Sequence, residues 1–261
     1  MRLPIYQVDA FTDKLFSGNP AAICPLPSWL LDATMQAIAA ENNLAETAFF
    51  VNGSDGYLLR WFTPTVEVDL CGHATLASAH IVFNILEPRR ESVDFRTVKA
   101  GTLTVARRGD MLIMDFPARA PSPAEPPPGL LAALGGKPHE VLRARDCLVV
   151  YGSAAEVAAL APDFTALAKV DCWAAIASAP GENGVDFVSR FFAPAKGVPE
   201  DPVTGSSHCT LVPYWAARLG KIELVAHQLS RRGGALHCAL RGDRVNIGGR
   251  AVLYLEGQIT V

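Results

Sequence analysis

Two short segments of this 261-residue chain carry residue types that can hold an anion and move a proton. In the first, Asp69-Leu70-Cys71-Gly72-His73-Ala74-Thr75 runs into a long apolar stretch; in the second, Asp201-Pro202-Val203-Thr204-Gly205-Ser206-Ser207 does the same. Each follows a similar phrase, Arg60-Trp61-Phe62-Thr63-Pro64 and Arg190-Phe191-Phe192-Ala193-Pro194. Both copies predict a strand, a loop and a glycine opening a buried helix. A helix start offers unpaired N–H groups and a partial positive charge, and glycine lets a ligand approach the backbone. Gly72-His73-Ala74 and Gly205-Ser206-Ser207 are therefore candidate cradles for a carboxylate or phosphate. The plainer alternative is that each glycine only begins a core helix.

Reactive side chains lie near these cradles. Glu46, followed by Thr47-Ala48-Phe49-Phe50, is a carboxylate entering an apolar strand. It is either an edge residue facing water or a desolvated group suited to acid–base work near neutrality. His73 is either a satisfied core histidine or a neutral imidazole at a helix N-terminus, where positive charge is disfavoured. Asp201 stands just ahead of the second glycine, and its neighbour Glu200 reads as an exposed loop acid. Cys71 beside a helix start could be an activated thiol. The matching position in the second copy is Thr204, so a pair of opposed thiols is not expected, and Cys71 reads as structural. Cys71/His73, His208/Cys209 and His237/Cys238 lack zinc-ligand spacing, and no phosphate-binding glycine loop follows a strand. No metal and no cofactor are expected.

The elements that must position these groups follow from the pattern. A strand is predicted over Ile5–Ala10, a loop over Phe16–Pro20 and a helix beginning at Ser28 as its N-cap. Strand-like runs at 46–51 and 56–62 precede an all-round apolar helix over Gly72–Leu86, and three β-rich runs follow within 92–116. The second half repeats the scheme, with strands near 147–151, 172–177 and 186–192, a helix over Gly205–Leu219 and four further strands to Ile259. Pro213 should kink or loosen that helix. Prolines crowd the segment from Phe116 to Gly129, which reads as a semi-rigid connector outside any sheet. Two domains are expected, residues 1–118 and 119–261, with the last strand either staying in the second or crossing to the first.

Half of the residues are apolar, 19% are charged and the net charge is −3, so a large core is affordable and nothing advertises nucleic acid. An acid at Asp9 interrupts the start before any signal-like apolar run, and the longest uncharged stretch, Ala74–Leu86, is short for a membrane span. A cytoplasmic protein with six reduced thiols is the expectation. Arg241-Gly242-Asp243 reads as a hairpin turn.

Several phrases resemble the PhzF-like isomerase family of phenazine biosynthesis: Val8-Asp9-Ala10-Phe11-Thr12, Phe16-Ser17-Gly18-Asn19-Pro20, Asn43-Leu44-Ala45-Glu46-Thr47, Asp69–Thr75, Glu200–Ser206 and Gln228–Gly234. The resemblance spans nearly the whole chain. It implies the diaminopimelate epimerase-like fold, α+β, with two similar domains that each wrap a curled, mostly antiparallel sheet round a central helix. It further implies a cofactor-independent homodimeric isomerase like the one acting on trans-2,3-dihydro-3-hydroxyanthranilate, with a small carboxylate-bearing substrate in a cleft between the domains. By resemblance Glu46 is the acid–base glutamate and His73 and Asp201 support it. Asn19, Ala45, Gly72, Ala74, Gly205 and Ser206 line the substrate. Many members carry serine where this chain has Ala45, a departure that bears on the substrate. The alternatives are an amino-acid epimerase or racemase of the same fold, or a ligand-binding protein without catalysis.

Overall fold

The computed structural model describes residues 1–54 and 56–261. The chain forms two compact units, the first from residues 1–115 and 248–261, the second from 116–247. Each is taken by itself.

In the first unit, β1 (Arg2–Ala10) pairs antiparallel with β2 (Asn19–Leu26), and β2 runs parallel to β3 (Glu46–Gly53). Strand β3 is antiparallel to β4 (Gly56–Phe62), which pairs on its other side antiparallel with the short β5 (Glu67–Val68) and parallel with β6 (Ser92–Arg96). An antiparallel run through β7 (Thr102–Arg108) and β8 (Met111–Pro117) continues it. Helix α1 (Asp32–Asn42) covers one face, where Met35, Ile38 and Ala39 meet Phe49, Val51 and Phe62. Helix α2 (Gly72–Ile81) packs against β1, β2, β3 and β7, and almost every one of its side chains is buried. Its two internal hydroxyls turn back on the helix, Thr75 Oγ1 donating to Cys71 O and Ser78 Oγ to Ala74 O, so neither is left unpaired in the core.

The second unit repeats this plan. It opens with β9 (Ser122–Pro123) and α3 (Leu130–Leu134), then β10 (Glu140–Arg143) antiparallel to both β9 and β11 (Cys147–Val150). After α4 (Ala154–Ala159) and α5 (Phe164–Leu167), β12 (Ala175–Pro180) runs parallel to β11 and antiparallel to β13 (Phe187–Ala193). Strand β13 takes the antiparallel β14 (Val198–Asp201) and the parallel β15 (Glu223–Gln228), as β4 takes β5 and β6. Helix α6 (Gly205–Leu219) packs on β15 and β16 (Gly234–Arg241), and it continues through Pro213. Gly242, at φ +63°, turns the chain into β17 (Arg244–Gly249), a left-handed position that glycine adopts without strain. The last strand, β18 (Ala251–Thr260), pairs antiparallel with β1. Among the described residues, no helix is long and apolar enough to cross a membrane.

Four local expectations fail for physical reasons. Helix α1 begins at Asp32, not Ser28, because Trp29 and Leu30 are drawn onto the core ahead of it. Asn19 and Pro20 belong to β2, whose buried centre at residues 21–24 is flanked by prolines that read as breakers. The apolar helix over Gly72–Leu86 is α-helical only to Ile81 and ends in a π-helical turn, 82–86. The proline-rich connector contributes a strand after all: Ser122 and Pro123 form β9 at the edge of the sheet, where a missing N–H is tolerated.

Candidate active site

Three elements of the first unit bring four side chains together. Gly18, at φ +67°, swings the chain from the 11–17 loop into β2, and a Cβ there would meet Ala10 O at 2.2 Å. The next residue, Asn19, is fully buried. The parallel register sets Ala21 of β2 opposite Glu46, the first residue of β3, with Ala45 in the turn just before it. Cys71 forms the extended N-cap of α2, and Gly72, His73 and Ala74 make its first turn.

His73 is the hub. Its Nε2 lies 3.0 Å from Glu46 Oε2, and its Nδ1 lies 3.2 Å from the Asn19 side-chain amide. Cys71 Sγ stands 3.5 Å from Nδ1 and 3.9 Å from Nε2, beside the ring. Burial opposes a charge on His73, but the sulfur of Cys71 and the carboxylate of Glu46 more than offset it, and the imidazole titrates well above the ordinary histidine value. Burial, with Glu46 close by, pushes the Cys71 thiol up to about 11. It is therefore protonated at neutral pH. The dipole of the helix start disfavours charge on His73, and the Glu46 carboxylate at 3.0 Å favours it. Glu46, His73, Asn19 and Cys71 converge, and Gly72 and Ala74 flank them.

In the second unit Asp201 ends β14 and Thr204 is the N-cap of α6. Thr204 Oγ1 donates to Asp201 Oδ2. Gln228 fastens both: its Nε2 donates to Asp201 O (2.8 Å) and Thr204 Oγ1 (3.1 Å), and its Oε1 accepts from Thr204 N (2.9 Å). Arg145 donates to Ser206 Oγ at 3.3 Å while bonding the fully buried Asp146. His208, in the first turns of α6, is pushed down to about 4 by burial, a loss its bond to the Thr204 carbonyl only partly reverses. Neither α2 nor α6 has an oxygen side-chain cap at its N-cap, and at α2 the Ala74 N–H is turned to the Cys71 sulfur.

Glu200 is not an exposed loop acid. Arg190 grips it with Nε at 2.7 Å and Nη2 at 2.9 Å, and the guanidinium also donates to the carbonyls of Val157 and Leu160. Arg60 holds Glu67 in the same way, at 2.7 and 2.8 Å, and both arginines lie over the phenylalanine two residues on, Phe62 and Phe192. These clamps, and Gln228, escape a reading that looks only for reactive groups. A signal was present: a glutamate stands five residues ahead of each helix glycine, Gly72 and Gly205.

Glu46, Cys71 and His73 place one donor atom each within 4.8 Å of one another, a grouping that could also surround a cation. In the arrangement found, the two His73 nitrogens face Glu46 and the Asn19 amide. The arrangement is suited to proton chemistry.

The duplicated sheet-and-helix plan is that of the epimerase fold. A hydroxyproline epimerase from Agrobacterium vitis, solved with bound trans-4-hydroxy-L-proline, superposes with a TM-score of 0.61 over 99% of this chain and 92% of its own, at 10% identity, a likeness of fold alone. A phenazine biosynthesis protein of the PhzF family from Enterococcus faecalis is 45% identical, with a TM-score of 0.97 and full coverage of both chains. An uncharacterized isomerase of Pseudomonas aeruginosa is 53% identical over 99% of both chains. Residues 8–257 match the family described as phenazine biosynthesis-like protein. The chain belongs to this family, the PhzF family.

Proposed function

We propose that the protein is an isomerase that moves a proton within a small carboxylate-bearing substrate, with Glu46 as the acid–base group. The observation that carries this reading is the Glu46–His73 pair, 3.0 Å apart beside a helix start with no oxygen side-chain cap. A carboxylate is the form that can take a proton from carbon, and His73 at 3.0 Å holds Glu46 in place for it. Having taken it, Glu46 returns it to a second carbon on the same face, so no external acid is needed. The start of α2 at Gly72 is suited to the substrate carboxylate, with Ala74 beside it. Asp201, Gly205 and Ser206 are assigned to the same chemistry, Asp201 as a supporting acid. Asn19 and Ala45 flank Glu46 and His73, and Ala45 leaves the substrate one hydroxyl contact fewer than a serine would. A cytoplasmic homodimer working without metal or cofactor completes the reading, which for these points rests on the family.

Thr204 at the position of Cys71 leaves one thiol where stereoinversion by two opposed thiols needs a pair. Glu46→Gln tests the assignment. A folded variant that has lost turnover of a small unsaturated acid is expected, and one with undiminished turnover would sink it.

A further inference from the structure

We propose that Cys147 and Cys172 form a modification site in the second unit, a dithiol that peroxide oxidises to a disulfide beside Arg145. The site lies outside the Glu46 chemistry and does not depend on it.

The fold brings the two sulfurs together. Cys147 opens β11, and its N–H donates to Ala174 O at 2.9 Å, which fixes the chain two residues past Cys172 alongside it. Cys172 N–H donates to Val170 O at 2.8 Å, a tight turn that folds this segment back ahead of β12. Cys172 packs on the core cluster that contains Cys147, and the two thiols hydrogen-bond each other. Cys147 is buried and Cys172 half-buried, so an oxidant enters from the Cys172 side. The bond from Cys172 holds the Cys147 thiol below its ordinary value against burial, with help from Arg143, whose Nη2 reaches Asp171 O at 3.5 Å. A thiolate is the form that reacts with peroxide. Cys24, Cys71, Cys209 and Cys238 differ, since each is buried and burial pushes its thiol up.

The step balances with hydrogen peroxide as the oxidant. One sulfur, as thiolate, attacks a peroxide oxygen; the O–O bond breaks, hydroxide leaves and a sulfenic acid remains. The second sulfur, as thiolate, attacks the first; the S–O bond breaks, a second hydroxide leaves and the disulfide closes. The two thiol protons convert both hydroxides to water, and two electrons pass from sulfur to peroxide. Asp146, next to Cys147, grips Arg145, and Trp173, next to Cys172, lies under the Arg145 guanidinium at 4.2 Å. Arg145 in turn donates to Ser206 Oγ at the start of α6. The disulfide therefore ties together the two segments that support this arm.

The test treats the reduced full-length protein with hydrogen peroxide under conditions that oxidise free cysteine, then unfolds and alkylates it. Mass spectrometry is expected to show the loss of two hydrogens and of two alkylatable thiols, with Cys24, Cys71, Cys209 and Cys238 still alkylated. Trypsin should release residues 146–169 and 170–190 as one cross-linked species, parted again by dithiothreitol. In Cys172→Ser the two-hydrogen loss is expected to vanish. An unaltered protein that keeps all its thiols, gains only oxygen at Cys172, or pairs either cysteine with a different one overturns the proposal. The unaltered protein decides this even if a variant does not fold. No turnover is measured, so the result stands apart from that of Glu46→Gln.

Discussion

Arg190 holds Glu200 through two parallel hydrogen bonds, and Glu200 immediately precedes Asp201. Arg190 is only 9% exposed, so its charge depends on this partner and on the carbonyls at the end of α4. Replacing Glu200 with Gln leaves a buried guanidinium half satisfied. Chemical denaturation of Glu200→Gln is expected to show a loss of up to about 3–5 kcal/mol, the range for breaking a buried pair from one side. A loss below about 0.5 kcal/mol would class the clamp with ordinary surface pairs.

Glu46→Gln removes the proton carrier while keeping size and burial. Turnover is expected to fall about 10²–10⁴-fold, the scale of one positioned acid–base group. Glu46→Asp keeps the carboxylate but draws it back from His73 by one methylene, so an intermediate rate is expected. Equal rates for the two variants would show that a carboxylate drawn back by one methylene is worth no more than an amide, so that placement and not charge alone decides.

Cys71 is buried, with its thiol pushed up to about 11. Cys71→Ser is accordingly expected to keep far more activity than Glu46→Gln, and thiol-alkylating reagents should leave the folded protein untouched at this position. A loss as deep as that of Glu46→Gln would restore thiol chemistry of the racemase type.

His208 and His80 give the fold a defined acid limit. Burial pushes both down to about 4, helped at His80 by Arg107. Between the ordinary 6.5 and that value the unfolded chain binds protons that the native state refuses, so stability drops as pH falls through this window. For the fully buried His208 the drop is roughly 3 kcal/mol. His208→Gln should abolish that share in denaturation measured at neutral pH and near pH 4. An unchanged pH slope in the variant would place the acid limit elsewhere.

The duplication was legible because glycine, a preceding Arg-x-Phe phrase and a following apolar run recur in both halves. The pairing scheme carries it further: β2 to β3 and β11 to β12 are both parallel, as are β4 to β6 and β13 to β15. Strand β2 was obscured because its prolines imitate a turn, although its buried alanines pack against β1 and β3. Glu46 and His73 could each be suspected from their neighbours. Their contact spans 27 positions and depends on the β3 register and the start of α2, which periodicity does not encode. Gln228 was hidden for a related reason: it acts by bonding Thr204 and Asp201, and nothing in its own local pattern marks that.

Strand β18 lies along β1, and Val261 N–H donates to Met1 O at 2.9 Å. The first unit is therefore split in sequence, and residues 116–247 lie within it as an uninterrupted insertion. During synthesis the inserted unit has all its residues before the enclosing one does. The strand that flanks β1, in the unit that holds Glu46, Asn19 and His73, is made only after the inserted unit. Until β18 is in place, the chain carries all the residues of the second unit and an open sheet edge along β1, exposing backbone donors and acceptors to any passing strand.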